Sequence, residues 1–424
     1  MRNNRESGSG VPAAVRLLNT IAYYAGLTFL LRRRMLRRFD LLHKQLVDAR
    51  FAENAGMFVN TIDLQYSSFT GLLALGETIK AAFANCSLLT TESNQLETAS
   101  TISIESPIFI VGFPRTGTSL LHSLLAEEPG YQAPLMWELH EPALSGSDLA
   151  RRAMKKKVQQ FVNANNLLAP NLKNVHPMFV NGNEECLKLL ENAFFSPTFL
   201  LYNQAPGYES WMLEQLGCEA ANSAYEMHKL QLQLLNSNHG RRGTWVLKSP
   251  AHALLVNSIR QVYPDSLLIN THRNPVESIA SFCSLAETIR SIFDQTIDRH
   301  EIGQLALRFY AHSCAQYLEL VRKTPNGIVE VSFDALCKSP VGVVQKIYEL
   351  LELPFDSQQL KDRIDAWMSE DAQKLKSKHK YDVQHYGLDE TLIKSRFKNQ
   401  IERLSALDAL GGIAMPADLN AAEN

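Results

Sequence analysis

The sequence predicts an α/β fold, a parallel β-sheet flanked by helices, with a P-loop-like anion-binding turn and a helical N-terminal extension. Three observations carry that expectation. Short apolar runs at residues 107–111, 244–247, 266–271 and 327–331 are continuous rather than alternating, as strands covered on both faces require. Helical patterns separate these runs, and strand–helix alternation marks a parallel sheet. The first run breaks into Gly112-Phe113-Pro114-Arg115-Thr116-Gly117-Thr118-Ser119 and resumes periodically with Leu120, Leu121, Leu124 and Leu125. That is strand, tight loop, helix, with backbone N–H groups and a helix N-terminus placed to surround an anion.

The elements follow in chain order. Residues 1–12 are polar and Gly/Ser-rich and read as a disordered start. From about residue 15 to 84, apolar residues three and four apart predict helices. Within them, residues 17–31 form an apolar stretch of 15 residues, short of the roughly 20 needed to span a bilayer. Arg32, Arg33, Arg34, Arg37 and Arg38 follow it, against Arg2, Arg5 and Arg16 before it. Two readings stand. The first is a packed helix of the fold; the second is peripheral membrane contact through residues 15–38, with basic residues meeting anionic lipid. No small-residue cleavage site follows, so a secretory signal is not expected. The arginine bias would keep the following domain cytoplasmic if the segment inserted. The expected location is thus cytoplasmic, at a membrane's cytoplasmic face if the second reading applies.

Residues 87–103 read as a polar loop, 131–146 as an irregular Pro-containing stretch, and 151–160 as a solvated helix face. Residues 184–236 read as helices broken at Pro197 and at Pro206-Gly207. Trp211 and Trp367 read as core aromatics. The expected organisation is an extension over 1–103, a main domain over 104–403 and a small-residue tail over 404–424.

Composition excludes some functions. With 424 residues, 45% hydrophobic and 20% charged, the chain suits a large globular core. A net charge of −2 offers no electrostatic case for nucleic acid. The six cysteines, at Cys86, Cys186, Cys218, Cys283, Cys314 and Cys337, form no C-x-x-C pair. Neither a zinc site nor a disulfide scaffold is expected, and a reduced intracellular setting fits.

The chemistry gathers at strand ends. The loop matches G-x-x-x-x-G-K-[ST], except that Thr118 replaces the Lys and the cation sits earlier, at Arg115. The second run ends in Lys248-Ser249-Pro250-Ala251-His252, the third in His272-Arg273-Asn274-Pro275. Ligands of parallel sheets bind off the carboxyl ends of the strands. Arg115, Lys248 and Arg273 together suit a ligand with several phosphate-like groups. After Arg273 a helix start is marked by Asn274, Pro275 and Glu277. Ser281 lies two turns in, on a face shared with Ser278. No apolar strand ends in an aspartate suited to magnesium.

GFPRTGTSLLHSLL, WVLKSPAH and LINTHRNPVESIASF, in this order, resemble sulfotransferases that use 3′-phosphoadenosine 5′-phosphosulfate (PAPS), and in particular a large, mainly bacterial group of that family. The similarity covers about residues 104–403 and takes in YQAPLMWELHEP, HPMFVNGNEECLKLL, YESWM, IDRHEIG and HKYDVQHYGL. The resemblance implies that Arg115, Thr116, Gly117, Thr118 and Ser119 hold the 5′-phosphosulfate. It implies that Arg273 and Ser281 hold the 3′-phosphate, that adenosine 3′,5′-bisphosphate leaves, and that no metal is required. Arg115 and Lys248 would face the charge that develops during transfer.

Two residues compete as general base. Glu138 lies close to where tyrosylprotein sulfotransferases carry a catalytic carboxylate. His252 is similar to the histidine that cytosolic sulfotransferases carry shortly after a lysine, but the Lys-x-x-x-His spacing here is longer. Glu138 is the first choice, with a structural contact as its plain alternative; His252 has a capping role as its own. His140 and Glu141 are further candidates. Lys376–Lys380 resembles the family's C-terminal segment near the cleft and equally reads as a solvated charge run. His176 and Glu184-Glu185-Cys186 match the family without a derivable role, and Asn183 stands where relatives often have Pro.

The acceptor expected is a small molecule or lipid with a hydroxyl, less readily an amine, because residues 134–180 and 284–300, read as loops, mix Leu, Phe, Met and Pro. Two other readings remain: an ATP-dependent phosphoryl transferase on the same fold, and a non-catalytic nucleotide-binding protein at a membrane surface.

Overall fold

The computed structural model describes residues 5–7, 11–126, 128–144, 146–168, 170, 177–371 and 382–422. His176 and Lys376–Lys380 lie outside the described residues, as does the side chain of Trp367. The strands are β1 Arg5–Ser7, β2 Ile108–Ile110, β3 Tyr131–Gln132, β4 Thr244–Lys248, β5 Leu267–His272, β6 Thr296–Asp298, β7 Ile328–Ser332 and β8 Ile413–Ala414. The chain forms two compact units. One comprises Met1–Ile104, Pro134–Arg241 and Leu285–Arg299; the other comprises Glu105–Ala133, Arg242–Ser284 and His300–Asn424.

The second unit holds a six-stranded sheet in the order β3-β4-β2-β5-β7-β8. All neighbours are parallel except β8, which runs antiparallel to β7. The α/β class and the four expected strands are therefore present. The two edge strands, β3 and β8, are additions that two-residue pairings cannot announce in a sequence. β2 lies between β4 and β5, with Ile110 opposite both Lys248 and Ile269. Its residues are fully buried. Ile108 and Ile110 pack with Leu121, Leu124 and Leu125 of the helix Thr118–Ala126, while Phe109 packs edge-on to His252 and against Tyr263. Burial on both faces is why the strand reads as an unbroken apolar run.

The first unit is mainly helical. It opens with α1 Ala13–Tyr24, α2 Leu27–His43, α3 Ala49–Thr61 and α4 Phe69–Thr90. α4 is long and apolar enough to cross a membrane, yet 44% of that window is buried inside the folded chain. The polar loop expected at 87–103 is instead largely helical: α4 runs to Thr90, and Ser93 caps a helix Asn94–Ser100 by accepting from the Leu96 N–H at 3.3 Å. The Ser93 cap outweighs the low apolar content of that stretch. The expected breaks at Pro197 and Pro206 are present, between helices Leu187–Glu191, Thr198–Tyr202 and Pro206–Glu214. Phe58, Phe194, Phe199 and Tyr208 form an aromatic core there, and Trp211 packs on Phe195 and Tyr208.

Three further expectations change. Residues 5–7, read within a disordered start, pair antiparallel with β6, Arg5 opposite Asp298; a partner so distant in sequence leaves no local signal. The stretch 284–300, read as a loop, is the end of a helix Pro275–Phe293 followed by β6. Residues 17–31, read first as a packed helix, are split by Gly26 at φ +71°, and α1 and α2 meet there at 82°. Leu17, Ile21, Leu27 and Leu30 are exposed.

Candidate anion-binding and transfer site

The site is built on the turn after β2. Gly112 is obligatory, because a Cβ there would lie 1.9 Å from Thr271 Oγ1 on β5. Thr116 fills the space so preserved. Its hydroxyl is 2.6 Å from the Phe113 carbonyl oxygen and 2.6 Å from Thr271 Oγ1. Arg115 takes φ +71° and Gly117 φ +91°. A left-handed arginine costs about 1–2 kcal/mol, strain of the kind held at functional turns. A Cβ on Gly117 would meet the Phe333 ring at 2.9 Å. The Leu121 N–H bonds to the Gly117 carbonyl at 3.1 Å, so the helix opens at the turn and directs its first free N–H groups into it.

The cations expected at strand ends converge on this turn. Lys248, at the end of β4 and only 3% exposed, donates to Ser119 Oγ at 3.0 Å. Arg115 donates through Nε to Ser281 Oγ at 3.1 Å. Arg273, just past β5, donates through Nη1 to the Arg115 carbonyl at 3.1 Å. Its guanidinium also pairs with Glu277 at 2.7 Å and lies 4.4 Å over the Phe333 ring. The helix bearing Ser281 starts as expected, with Asn274 Oδ1 accepting from the Val276 N–H at 3.0 Å. Ser278 and Ser281 are both buried, and the Ser278 hydroxyl has no hydrogen-bond partner among the described residues. Three cations, serine and threonine hydroxyls and open N–H groups fit a ligand bearing more than one phosphate-like group.

A cavity of about 660 Å³ adjoins the turn through Thr116 and Arg273, within the range of ligand pockets. Its wall includes a buried network that sequence reading missed. Glu330 of β7, fully buried, pairs with His272 at 2.8 Å and with Arg403 through two nitrogens. Burial acts to raise the Glu330 carboxyl, but hydrogen bonds and charge from His272 and Arg403 outweigh it and hold the group at about 2. A lone carboxylate inside an apolar strand signals a buried partner. Nothing local identifies Arg403 as that partner.

The two candidate bases differ in setting. His252 lies in the same unit as the turn, on a 3-10 turn Pro250–Ala253 that Ser249 caps through the Ala251 N–H at 3.1 Å. Its ring is fully buried, edge-on to Phe109. Glu138 lies in the other unit and is also buried. Its carboxylate accepts from Arg241 Nη2 at 2.7 Å and Nε at 3.3 Å, and from the Leu135 N–H at 2.9 Å. The stretch around it is clamped by backbone bonds from Met136 to Gly182, Trp137 to Val180 and Glu184 to Pro134. Those bonds give the stretch near Asn183 and Glu184 a structural task. In the same unit His140 is held far down, to about 3, by burial and by the charges of Lys188 and Lys157. Among the described residues no group of three His, Cys, Asp or Glu side chains could hold a metal.

A parallel sheet, a glycine-bounded turn opening a helix, and cations from three strand ends define an α/β protein whose carboxyl sheet edge suits a polyanionic ligand. The particular family follows from sequence. The chain belongs to the sulfotransferase family, whose model matches residues 107–357. It is 25% identical over 267 residues to the omega-hydroxy-beta-dihydromenaquinone-9 sulfotransferase Stf3 of Mycobacterium bovis, and equally to that of Mycobacterium tuberculosis. The match spans 60% of this chain and 65% of the relative's length. The fold is shared with solved structures. The sulfotransferase STF9 of Mycobacterium avium superposes with a TM-score of 0.73 at 20% identity, over 87% of this chain and 95% of that one. The sulfotransferase STF1 of Mycobacterium tuberculosis gives 0.70 at 24% identity, over 85% and 98%.

Proposed function

We propose that this protein moves the sulfuryl group of PAPS to an acceptor hydroxyl and releases adenosine 3′,5′-bisphosphate. The observation that carries this is the convergence of Arg115, Lys248, Arg273 and Ser281 on one turn, by hydrogen bonds of 3.0–3.1 Å. PAPS carries two separate anionic ends. Arg115, the N–H groups of Thr116–Ser119 and the hydroxyls of Thr118 and Ser119 take the phosphosulfate, and Arg273 with Ser281 takes the 3′-phosphate. As the acceptor oxygen bonds to sulfur, the bridging S–O bond breaks and charge passes to the 5′-phosphate. Lys248 and Arg115 are held by hydrogen bonds to Ser119 and Ser281, which supports the reading that they stabilise that charge with little reorganisation. The acceptor proton goes to a base. Glu138 is assigned that role ahead of His252: a carboxylate only accepts protons and hydrogen bonds, and Oε1 of Glu138 retains acceptor capacity beyond Arg241.

The acceptor class follows the relatives. Stf3, by its name, acts on an omega-hydroxylated menaquinone, which supports a lipid or other apolar alcohol here. The test is a thermal-shift comparison of adenosine 3′,5′-bisphosphate, AMP and ATP with wild type and Arg273→Ala. The bisphosphate should stabilise wild type most, without added metal, and the variant should lose that preference. A preference that survives Arg273→Ala undiminished, or larger stabilisation by magnesium and ATP, overturns the assignment. Screening alcohols with PAPS for the mass gain of one sulfuryl group then identifies acceptors.

A further inference from the structure

The α1–α2 corner presents an apolar and basic surface that the transfer chemistry does not use. α1 has 12 residues and α2 has 17, so at 1.5 Å per residue they reach about 18 and 26 Å. Neither alone matches a hydrocarbon core of about 30 Å. Gly26, at φ +71° with open space around its Cβ position, turns the chain by 82° between them. Each helix buries one stripe, Asn19 and Ala22 in α1 and Thr28, Met35 and Phe39 in α2. The other faces carry large apolar side chains into solvent: Leu17 and Leu41 are 61% exposed, Leu30 60% and Tyr24 83%. So large an exposed apolar surface marks an interaction site.

The charge on the same helices identifies the occupant. From residue 13 to 43 there are six arginines, at 16, 32, 33, 34, 37 and 38, and one carboxylate, Asp40. Asp40 is paired with Lys44 at 2.7 Å. Arg33, Arg34, Arg37 and Arg38 are exposed, and none makes an ion pair among the described residues. Together with Leu30 and Leu41 they line a shallow groove along α2. Apolar chains interleaved with unpaired arginines match the interface of an anionic bilayer: the apolar groups enter the acyl boundary and the guanidinium groups meet lipid phosphates. A purely apolar partner would leave the arginines unsatisfied, and a purely acidic one would leave the apolar surface in water.

We propose that the α1–α2 corner docks the protein onto an anionic lipid bilayer, lying in the interface without crossing it. The proposal is independent of the sulfuryl-transfer reading. Flotation of the full chain with vesicles tests it, using phosphatidylcholine alone and phosphatidylcholine mixed with phosphatidylglycerol. Wild type should float with the anionic vesicles at least tenfold better than with the neutral ones, and added salt should weaken binding. Arg34→Glu/Arg37→Glu/Arg38→Glu should lose at least tenfold in partitioning. Leu17→Ser/Leu30→Ser should also lose binding, with circular dichroism and thermal unfolding unchanged for both. Wild type that stays soluble with both vesicle types, or a charge variant that floats as well as wild type, overturns the proposal. So does a dimer in sedimentation that both variants dissociate, which would make a second copy of the chain the occupant.

Discussion

Two groups of cations in this molecule are held in opposite ways. At the turn after β2, Lys248 is buried on Ser119, Arg115 reaches Ser281, and Arg273 is fixed by Glu277, the Arg115 carbonyl and the Phe333 ring. On α2, Arg34, Arg37 and Arg38 stand in solvent without ion pairs among the described residues. A fixed cation has already lost its side-chain freedom, so it can recognise a shaped anion and act on charge as it develops. A free cation can follow a fluid, unshaped surface and contributes through summed charge. Arg403 is the extreme of the first kind, 6% exposed and committed to Glu330.

Breaking the first group should give the larger effects. Lys248→Ala should lower kcat by about 10²–10³-fold with PAPS, the scale of losing a fixed donor to developing charge. Steady-state kinetics on a screened alcohol measures it, and a change in KM alone would instead make Lys248 a ground-state anchor. Glu138→Gln should cost a similar factor, at the low end of general-base contributions of about 10²–10⁴-fold. His252→Asn should cost much less; the reverse ranking moves the role to His252.

Next comes the buried pair. Glu330→Gln leaves Arg403 buried without its counter-charge and should destabilise by about 3–5 kcal/mol in denaturant unfolding. The pH dependence has a definite sign. The folded-state value of Glu330, about 2, lies below its ordinary 4.5, so its contribution is complete above about pH 4.5 and is lost as pH falls through about 2. Acid unfolding followed by circular dichroism should lose that component in the variant.

Ser281→Ala should weaken adenosine 3′,5′-bisphosphate by about tenfold, the worth of a hydrogen bond to a charged group, measured by calorimetry, and leave AMP unaffected. The exposed arginines offer the smallest effect on chemistry. Arg34→Glu/Arg37→Glu/Arg38→Glu should leave kcat/KM for a water-soluble acceptor unchanged while vesicle partitioning falls. A parallel loss of soluble-substrate turnover would erase the distinction between the two groups.

Much of the site was legible because its parts are local. The turn needs glycine where Thr271 and Phe333 crowd the backbone, and a strand buried on both faces needs unbroken apolar residues. Lys248 ends its strand and Arg273 directly follows its own, so locating the strands located them. Ser281 was legible only through family resemblance, since a serine on a helix carries no signal of its own. Glu330 was visible as a carboxylate in an apolar strand, but Arg403 is 73 residues away, and Arg241 is 103 residues from Glu138. Local patterns contain no record of such pairings.

Sequence alone determined the α/β class, the four central strands, the turn and its cations, because each depends on neighbours within a few residues. Tertiary structure alone decided the strand order, the edge strands β3 and β8, and which charges are paired. It also decided the fate of residues 17–31. Their composition is equally compatible with a packed helix and an exposed one. Only the turn at Gly26, and the narrow stripes that the rest of their unit covers, leave those apolar side chains, and the arginines that follow them, facing solvent.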